Sequence, residues 1–198
     1  MGMVTIGIFS FNTQGVQGAL FQMLSHGIVA GALFLCVGVV YDRMHSLEIN
    51  RYGGLADRMP GYALVFMLFT MASVGLPGTA GFVGEFLVIT GAVQVNFWLA
   101  VLGATGMVLG AAYMLYLYRR VIFGRMTKAD LMQILDLSPR EYAVFVPLIV
   151  LTLWMGIYPS SFTGFFDASV ADMVRHHTAA LEQTVKLANA ATNGVLPQ

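Results

Sequence analysis

Gly75-Leu76-Pro77-Gly78-Thr79-Ala80-Gly81-Phe82-Val83-Gly84-Glu85 decides how this chain folds. It lies inside an apolar run, residues 62–95. That run is too long for one straight membrane crossing, for which roughly 20 residues suffice. Proline removes a backbone donor and clashes with the preceding turn, and glycine weakens a helix further. The run therefore reads as two half-helices, 62–76 and 80–95, broken at 75–79 by Gly75, Pro77 and Gly78 and together crossing once. Glu85 follows the break. A carboxylate inside a membrane is costly and faces a partner or water. Backbone groups freed at a break must likewise be satisfied inside protein or by water. The two features together point to a hydrated pocket near the midplane, as in transporters. There, loss of solvent would bring Glu85 within range of reversible protonation. The competing reading is a glutamate close to an interface that merely reaches out to water.

Outward from this stretch, the composition agrees with lipid as the solvent. Of 198 residues, 58% are hydrophobic and 10% charged, against about 25% charged in soluble domains. Residues 1–11 form a partial helix, and a full helix spans 15–41, with the Asn12-Thr13-Gln14-Gly15 stretch turning between them. Residues 1–10 are apolar without a preceding Lys or Arg or a cleavage pattern, so they are not a signal peptide. They amount to half a span, as if the chain began inside a helix in the manner of a fragment. A further helix is expected at 97–118, with Trp98, Tyr116 and Tyr118 at its ends as an interfacial belt. Ser138-Pro139-Arg140-Glu141 has the order of a helix start, with Ser as N-cap, Pro first and Glu third. The helix it opens, 140–158, is expected to kink at Pro147 and to stop before Pro159. The fold class that follows is an all-α, polytopic transmembrane helix bundle with one discontinuous helix over residues 1–159. The tail, 160–198, reads as an amphipathic interfacial helix or a flexible terminus, with Val170, Val174, Leu181, Val185 and Ala188 at helical spacing.

Four crossings put loops 42–60 and 119–140 on one side. Those loops hold Arg43, Arg51, Arg58, Arg119, Arg120, Arg125, Lys128 and Arg140, whereas the other side holds Arg175 and Lys186. Cationic residues concentrate on the cytoplasmic side of membrane proteins. Both loops are therefore expected on the cytoplasmic (or matrix) side and the C-terminus outside; a bacterial plasma membrane is the expected host.

Within the expected spans the ionisable candidates are Glu85 and His26. Histidine titrates near neutral pH and can accept on one nitrogen while donating on the other. Gln14, Gly18, Gln22 and His26 are four apart, so they share one helix face. That stripe reads as a water-lined path, or alternatively as polar glue between helices. Glu85, His26 and Gln22 are the candidate proton-path residues. Thr70 and Ser73, just before the break, can satisfy freed carbonyls or hold water. Gly27-x-x-x-Gly31 and Gly106-x-x-x-Gly110 read as close-packing motifs. Cys36 reads as a small packing residue, and as the single cysteine it excludes an intrachain disulfide. His45 reads as interfacial. His176 and His177 are adjacent, so on a helix they diverge and make a poor metal pair. No metal or cofactor is expected. The chain has no nucleotide-binding Gly-x-x-x-x-Gly-Lys-Ser/Thr loop, no His-Glu-x-x-His, no Gly-x-Ser-x-Gly and no cysteine set for an iron–sulfur cluster. With a net charge of zero, nucleic acid is not an expected partner. Uphill transport would have to draw on a partner or an ion gradient.

The run from Leu76 to Phe86, with Gln22-Met23-Leu24-Ser25-His26-Gly27 and Gly53-Gly54-Leu55, resembles the antiporter-like membrane subunits of respiratory complex I, most closely their subunit M branch. The resemblance covers nearly all of residues 1–159. It implies a fourteen-helix fold built from two inverted five-helix repeats, each with one broken helix. This chain would supply the end of helix 10 and helices 11–14. It further implies that His26 is the central-axis histidine and Glu85 the terminal protonatable residue toward the exit side. The family's first-half Glu–Lys pair, its central Lys and a further His have no counterpart here. The function implied is proton translocation within NADH:quinone oxidoreductase, with redox steps and NADH binding in other membrane-complex subunits. Two alternatives stay open: a subunit of a multi-subunit cation/proton antiporter, and a scaffold in which Glu85 and His26 only bond helices together.

Overall fold

The computed structural model describes residues 1–124 and 134–192, with side chains as far as residue 189. Arg125 and Lys128 in the second cationic loop, and residues 193–198 of the tail, lie outside the described residues. The order is α1 (Gly2–Phe9), α2 (Thr13–Met44), two 3-10 turns (Ile49–Arg51 and Leu55–Asp57), α3 (Pro60–Val74), α4 (Ala80–Val95), α5 (Phe97–Ile122), α6 (Pro139–Ile157), α7 (Ser160–Thr163) and α8 (Asp167–Thr192). No strand occurs among the described residues. The fold is an all-α transmembrane bundle. Helices α2, α5 and α6 are each long and apolar enough to cross a membrane.

Helices α3 and α4, with 15 and 16 residues, reach only about 22–24 Å each at ~1.5 Å per residue, short of a ~30 Å hydrocarbon core. They are stacked along α2. Against the first half of α2 lies α4, where a Cβ on Gly18 would stand 2.7 Å from Leu87 Cβ and one on Gly91 would stand 2.6 Å from Gly15 Cα. Against the second half lies α3, in a buried cluster that joins Ala32, Cys36 and Val39 to Tyr62, Phe66 and Phe69. The two half-helices thus complete one crossing.

The break has a defined geometry. Gly75 adopts φ +85°, a left-handed conformation. The Leu76 amide donates to Met71 O (3.0 Å) and the Gly75 amide to Ala72 O (3.3 Å), a Schellman ending. Gly78, at φ +90°, turns the chain again. Thr79 then bonds back to Leu76 O through its amide (3.1 Å) and its hydroxyl (2.7 Å).

Each end of the bundle is tied. At one end, Asn12 Nδ2 donates to Gly91 O (2.7 Å) and Gln94 Nε2 to Gln14 Oε1 (2.6 Å). At the other, Arg43 near the end of α2 forms a bidentate pair with Glu141 in the first turn of α6 (2.8 Å to each oxygen). Asp136, preceding α6, accepts from the Gly61 and Tyr62 amides (2.8 and 3.0 Å). An anionic side chain from another segment thereby satisfies the unpaired amides at the start of α3. Ser138 and Glu141 form the capping box expected from their order, and α6 continues through Pro147 as one helix.

Several details differ from the sequence reading, each for a local reason. The turn before α2 is Ser10–Asn12, and Thr13, Gln14 and Gly15 are already helical, because Asn12 Oδ1 accepts the Gly15 amide (2.7 Å) and caps the helix. Helix α5 continues past 118 to Ile122 with Arg119 and Arg120 in its last turn, where the helix dipole favours cations. Tyr118 does not belong to an interfacial belt: it is 5% exposed and donates to Ala63 O (3.0 Å). Trp98 and Tyr116 are exposed.

The close-packing glycines are also not the expected ones. A Cβ on Gly27, Gly31 or Gly106 would meet nothing within 4 Å, and one on Gly110 would meet only the Tyr113 ring edge at 4.0 Å. Tight contacts fall instead at Gly7, Gly15, Gly18, Gly61, Gly81, Gly84, Gly91 and Gly156, among others. Small residues at a spacing of four mark a close-packed face only when that face has a neighbour, and in this chain α2 turns Gly18, not Gly27, toward α4.

Helix α8 lies across the α1–α2 turn. Gln17 Nε2 donates to Asp167 Oδ1 (2.8 Å) and Phe11 stacks on His177 at 4.3 Å. Val170 is buried, while Leu181 and Val185 are exposed. His176 stands 3.5 Å from Asp172, so the adjacent histidines face different partners.

Candidate proton-relay site at the helix break

Glu85 sits in the second turn of α4 and is 8% exposed. The break decides where its carboxylate rests: a Cβ on Gly75 would stand 2.6 Å from Oε2. Glycine at position 75 therefore serves twice, by permitting the left-handed turn and by leaving room for the acid. Immediately before Glu85, Gly84 leaves similar room for Gln22: a Cβ there would stand 2.9 Å from Gln22 Cα and would collide with Oε1.

Among the described residues, three buried side-chain oxygens lack a hydrogen-bond partner: Gln22 Oε1, Glu85 Oε2 and Thr70 Oγ1. Glu85 Oε2 rests against Gly75 and Gln22 Oε1 against Gly84, beside the break, and Thr70 lies earlier in α3. An orphaned buried polar group costs roughly 1–3 kcal/mol. A proton on the carboxyl group, or water bridging the acceptors, satisfies them.

A cleft of about 370 Å³ opens beside these atoms, lined by Gln22 and His26 from α2, Ser73 from α3, Glu85 from α4, and Met107 and Tyr113 from α5. The cleft thus brings together Glu85, His26 and Gln22, the three residues singled out from the sequence. No metal-sized cluster of His, Cys, Asp and Glu occurs among the described residues.

The stripe of four does not act as one path. Gln14 is bonded to Gln94 at the end of the bundle, and Gly18 is pressed against the α4 backbone, 2.7 Å from Val88 N to an added Cβ. Only Gln22 and His26 face the cleft. The stripe shares one side of α2, but α4 covers its first half.

Sequence reasoning did not anticipate Tyr113 or the seating role of Gly75 and Gly84. Tyr113 carries no local sign, since a tyrosine near a helix end looks interfacial. The glycines showed only as helix breakers, because what they make room for comes from other helices.

The family described as NADH:quinone oxidoreductase/Mrp antiporter, transmembrane, matches residues 1–110. Subunit M of the NADH-quinone oxidoreductase of Rhodobacter capsulatus is 59% identical over 181 residues, 91% of this chain and 35% of that protein. Chain 4 of the NADH-ubiquinone oxidoreductase of Marchantia polymorpha is 48% identical over 176 residues, 89% of this chain and 36% of that one. This chain thus spans about a third of the length of these curated relatives. Among solved structures, respiratory complex I from Thermus thermophilus with bound NADH contains a chain of similar fold, with TM-score 0.82 and 33% identity over 88% of this chain and 36% of that one. The Mrp complex from Dietzia sp. DQ12-45-1b contains another, with TM-score 0.75 and 21% identity over 87% and 40%; that likeness is one of fold.

Proposed function

Because this chain belongs to the transmembrane family of NADH:quinone oxidoreductases and Mrp antiporters, we propose that it is part of a subunit M and carries protons through the cleft at its broken helix. The observation that carries this reading is the buried, unpartnered Glu85 carboxylate beside Gln22 and His26. A proton arriving at His26 passes through water in the cleft, oriented by the Gln22 amide, and loads Glu85. The charge at either site biases the other across a medium that screens poorly. Redox steps in partner subunits drive the cycle, and this chain contributes neither redox chemistry nor a site for NADH.

The 59% identity to a subunit M favours complex I over a cation/proton antiporter. The described parts of the two cationic loops meet where the Gly54 amide donates to Phe123 O, and the excess of Arg and Lys in those loops supports a cytoplasmic position for both. The tail then faces outward, and the host is a bacterial plasma membrane. The partners are the other membrane subunits of the complex and the surrounding lipid.

The test is Glu85→Gln in the membrane complex that contains this chain. Quinone reduction should persist or become uncoupled while NADH-driven acidification of vesicles stops. Acidification at the native ratio of protons to electrons would refute a relay role and leave the scaffold reading.

A further inference from the structure

We infer that the proton path, on the reading just proposed, continues beyond His26 into a second cavity and is carried there by the hydroxyls of Tyr113, Ser73 and Ser25. The second cavity, about 210 Å³, is lined by Ser25, His26, Val29 and Leu33 of α2, Ala72 and Ser73 of α3, Gly81 of α4, and Tyr113 of α5, among others. It shares four residues with the Glu85 cleft, namely Gln22, His26, Ser73 and Tyr113. All four are polar, and they come from three different helices. The wall between the two spaces is therefore polar, although α5 presents the apolar, exposed side chains Val108 and Leu109 elsewhere along the same stretch.

Position gives the second cavity a direction. From Gln22 to Leu33 its α2 lining climbs about 16 Å at ~1.5 Å per residue, away from Glu85 and toward the end of the bundle closed by Arg43 and Glu141. There the packed cluster of Ala32, Cys36, Phe66 and Phe69 begins. His26 consequently stands at the neck between an acidic compartment and one whose polar groups are hydroxyls. His26, Ser73 and Tyr113 are exposed to the two spaces they line, Tyr113 by 63%, whereas Ser25 is 1% exposed. A hydroxyl donates one hydrogen bond and accepts others. It can therefore accept a proton's hydrogen bond on one side while giving up its own hydrogen on the other, and it ends unchanged and uncharged. Side chains of this kind, with water between them, deliver a proton to His26 without placing a second fixed charge in the membrane. Tyr113 has the longest reach, and it lines both cavities.

The experiment compares Tyr113→Phe, Ser73→Ala, the double variant, Tyr113→His and Glu85→Gln in the assembled membrane complex, reading NADH oxidation and vesicle acidification in parallel. Tyr113→Phe should lower the ratio of protons pumped to NADH oxidised severalfold at near-native oxidation. The double variant should lower it further. Tyr113→His, which restores a group able to take and give a proton, should recover most of the loss. If the double variant pumps at the native ratio while Glu85→Gln does not pump, the second cavity is no part of the path and the relay at Glu85 stands alone. If oxidation and pumping fall together in Tyr113→Phe and histidine does not rescue them, the hydroxyl is structural and the inference fails. If Glu85→Gln itself pumps normally, the underlying reading fails first.

Discussion

Replacing Arg43 should loosen one whole end of the bundle, and the size of the effect follows from its bonds. All five guanidinium N–H groups are used: Nε to Leu135 O (2.9 Å), Nη1 to Val39 O and Glu141 Oε1 (2.8 Å each), Nη2 to Asp136 O (3.1 Å) and Glu141 Oε2 (2.8 Å). One side chain thus fastens α2 to the lead-in and first turn of α6. Removing one partner of a fully buried pair costs about 3–5 kcal/mol. Here the two side chains retain 18% and 22% exposure, and water reaching the remaining charge reduces the cost, so Arg43→Ala should lose about 2–3 kcal/mol. Arg43→Lys keeps the charge but has three donors and no planar fork, and should lose about half as much. Glu141→Ala also removes the capping box with Ser138, so single-variant losses overstate the pair. A double-mutant cycle with Arg43→Ala isolates it, with an expected coupling of about 1.5–2 kcal/mol. The measurement is reversible unfolding of the chain in mixed micelles titrated with denaturing detergent, followed by circular dichroism and by the fluorescence of Trp98 and Trp154. A coupling below about 0.5 kcal/mol would class this as an ordinary surface ion pair and overturn the view that it locks the bundle end.

Further expectations concern the glycines. Gly75→Ala imposes a side chain on a left-handed residue at a cost of about 1–2 kcal/mol and drives a Cβ against Glu85 Oε2. Pumping should fall by more than stability alone explains, and a native pumping ratio in the assembled complex would show that the carboxylate need not rest there. In the micelle assay Gly18→Ala should destabilise by about 1–3 kcal/mol through overpacking against α4, while Gly27→Ala should be neutral or gain up to about 1 kcal/mol from helix propensity. Equal losses at the two positions would contradict the packing described.

What the sequence could convey divides along a physical line. Features set by neighbouring residues were readable: the Gly-Pro-Gly interruption, Glu85 beyond it, and the Ser138–Glu141 cap are each fixed by backbone chemistry within a few positions. Features set by remote partners were not. The pairing of Arg43 with Glu141 spans 98 positions, and nothing near either residue names the other. Gly27 and Gly31 have the right spacing for a close helix contact, but spacing cannot say whether a neighbour exists. The polar stripe failed for the same reason. Gln14, Gly18, Gln22 and His26 do share a side of α2, yet α4 covers Gly18 and leaves only the last two on the cleft. Tyr113 entered the site because α5 crosses beside the break, a matter of tertiary arrangement alone.

The two ends of the crossing formed by α3 and α4 are built for different tasks. Around α3, sixteen buried residues form one continuous core that includes Leu55, Phe69 and Phe145, and Arg43, Glu141 and Asp136 tie its edge. Around the start of α4 the corresponding cluster has three, Phe21, Ala80 and Met155. The orphaned Gln22 and Glu85 acceptors, the left-handed Gly75 and Gly78 and the two cavities fall at this junction, where glycines rather than bulky side chains make the contacts. In lipid there is little hydrophobic drive between helices, so close contact and satisfied polar groups supply the stability. This junction has close glycine contacts, Gly84 on Gln22 and Gly156 on Thr79, but unpaired acceptors, so it relies also on the segments anchored on either side. A relay needs such a place: groups that must change protonation cannot be permanently paired, and water must reach them. Loosening the anchored end by severing Arg43 should therefore disturb proton transfer at Glu85 even though no bond connects them. The expected sign is proton leak at preserved quinone reduction in the Arg43→Ala complex, measured as faster collapse of a preformed pH gradient. Unchanged leak in a complex shown to be destabilised would mean that the junction is held by the break itself, through Gly75 and Thr79, rather than by the core above it.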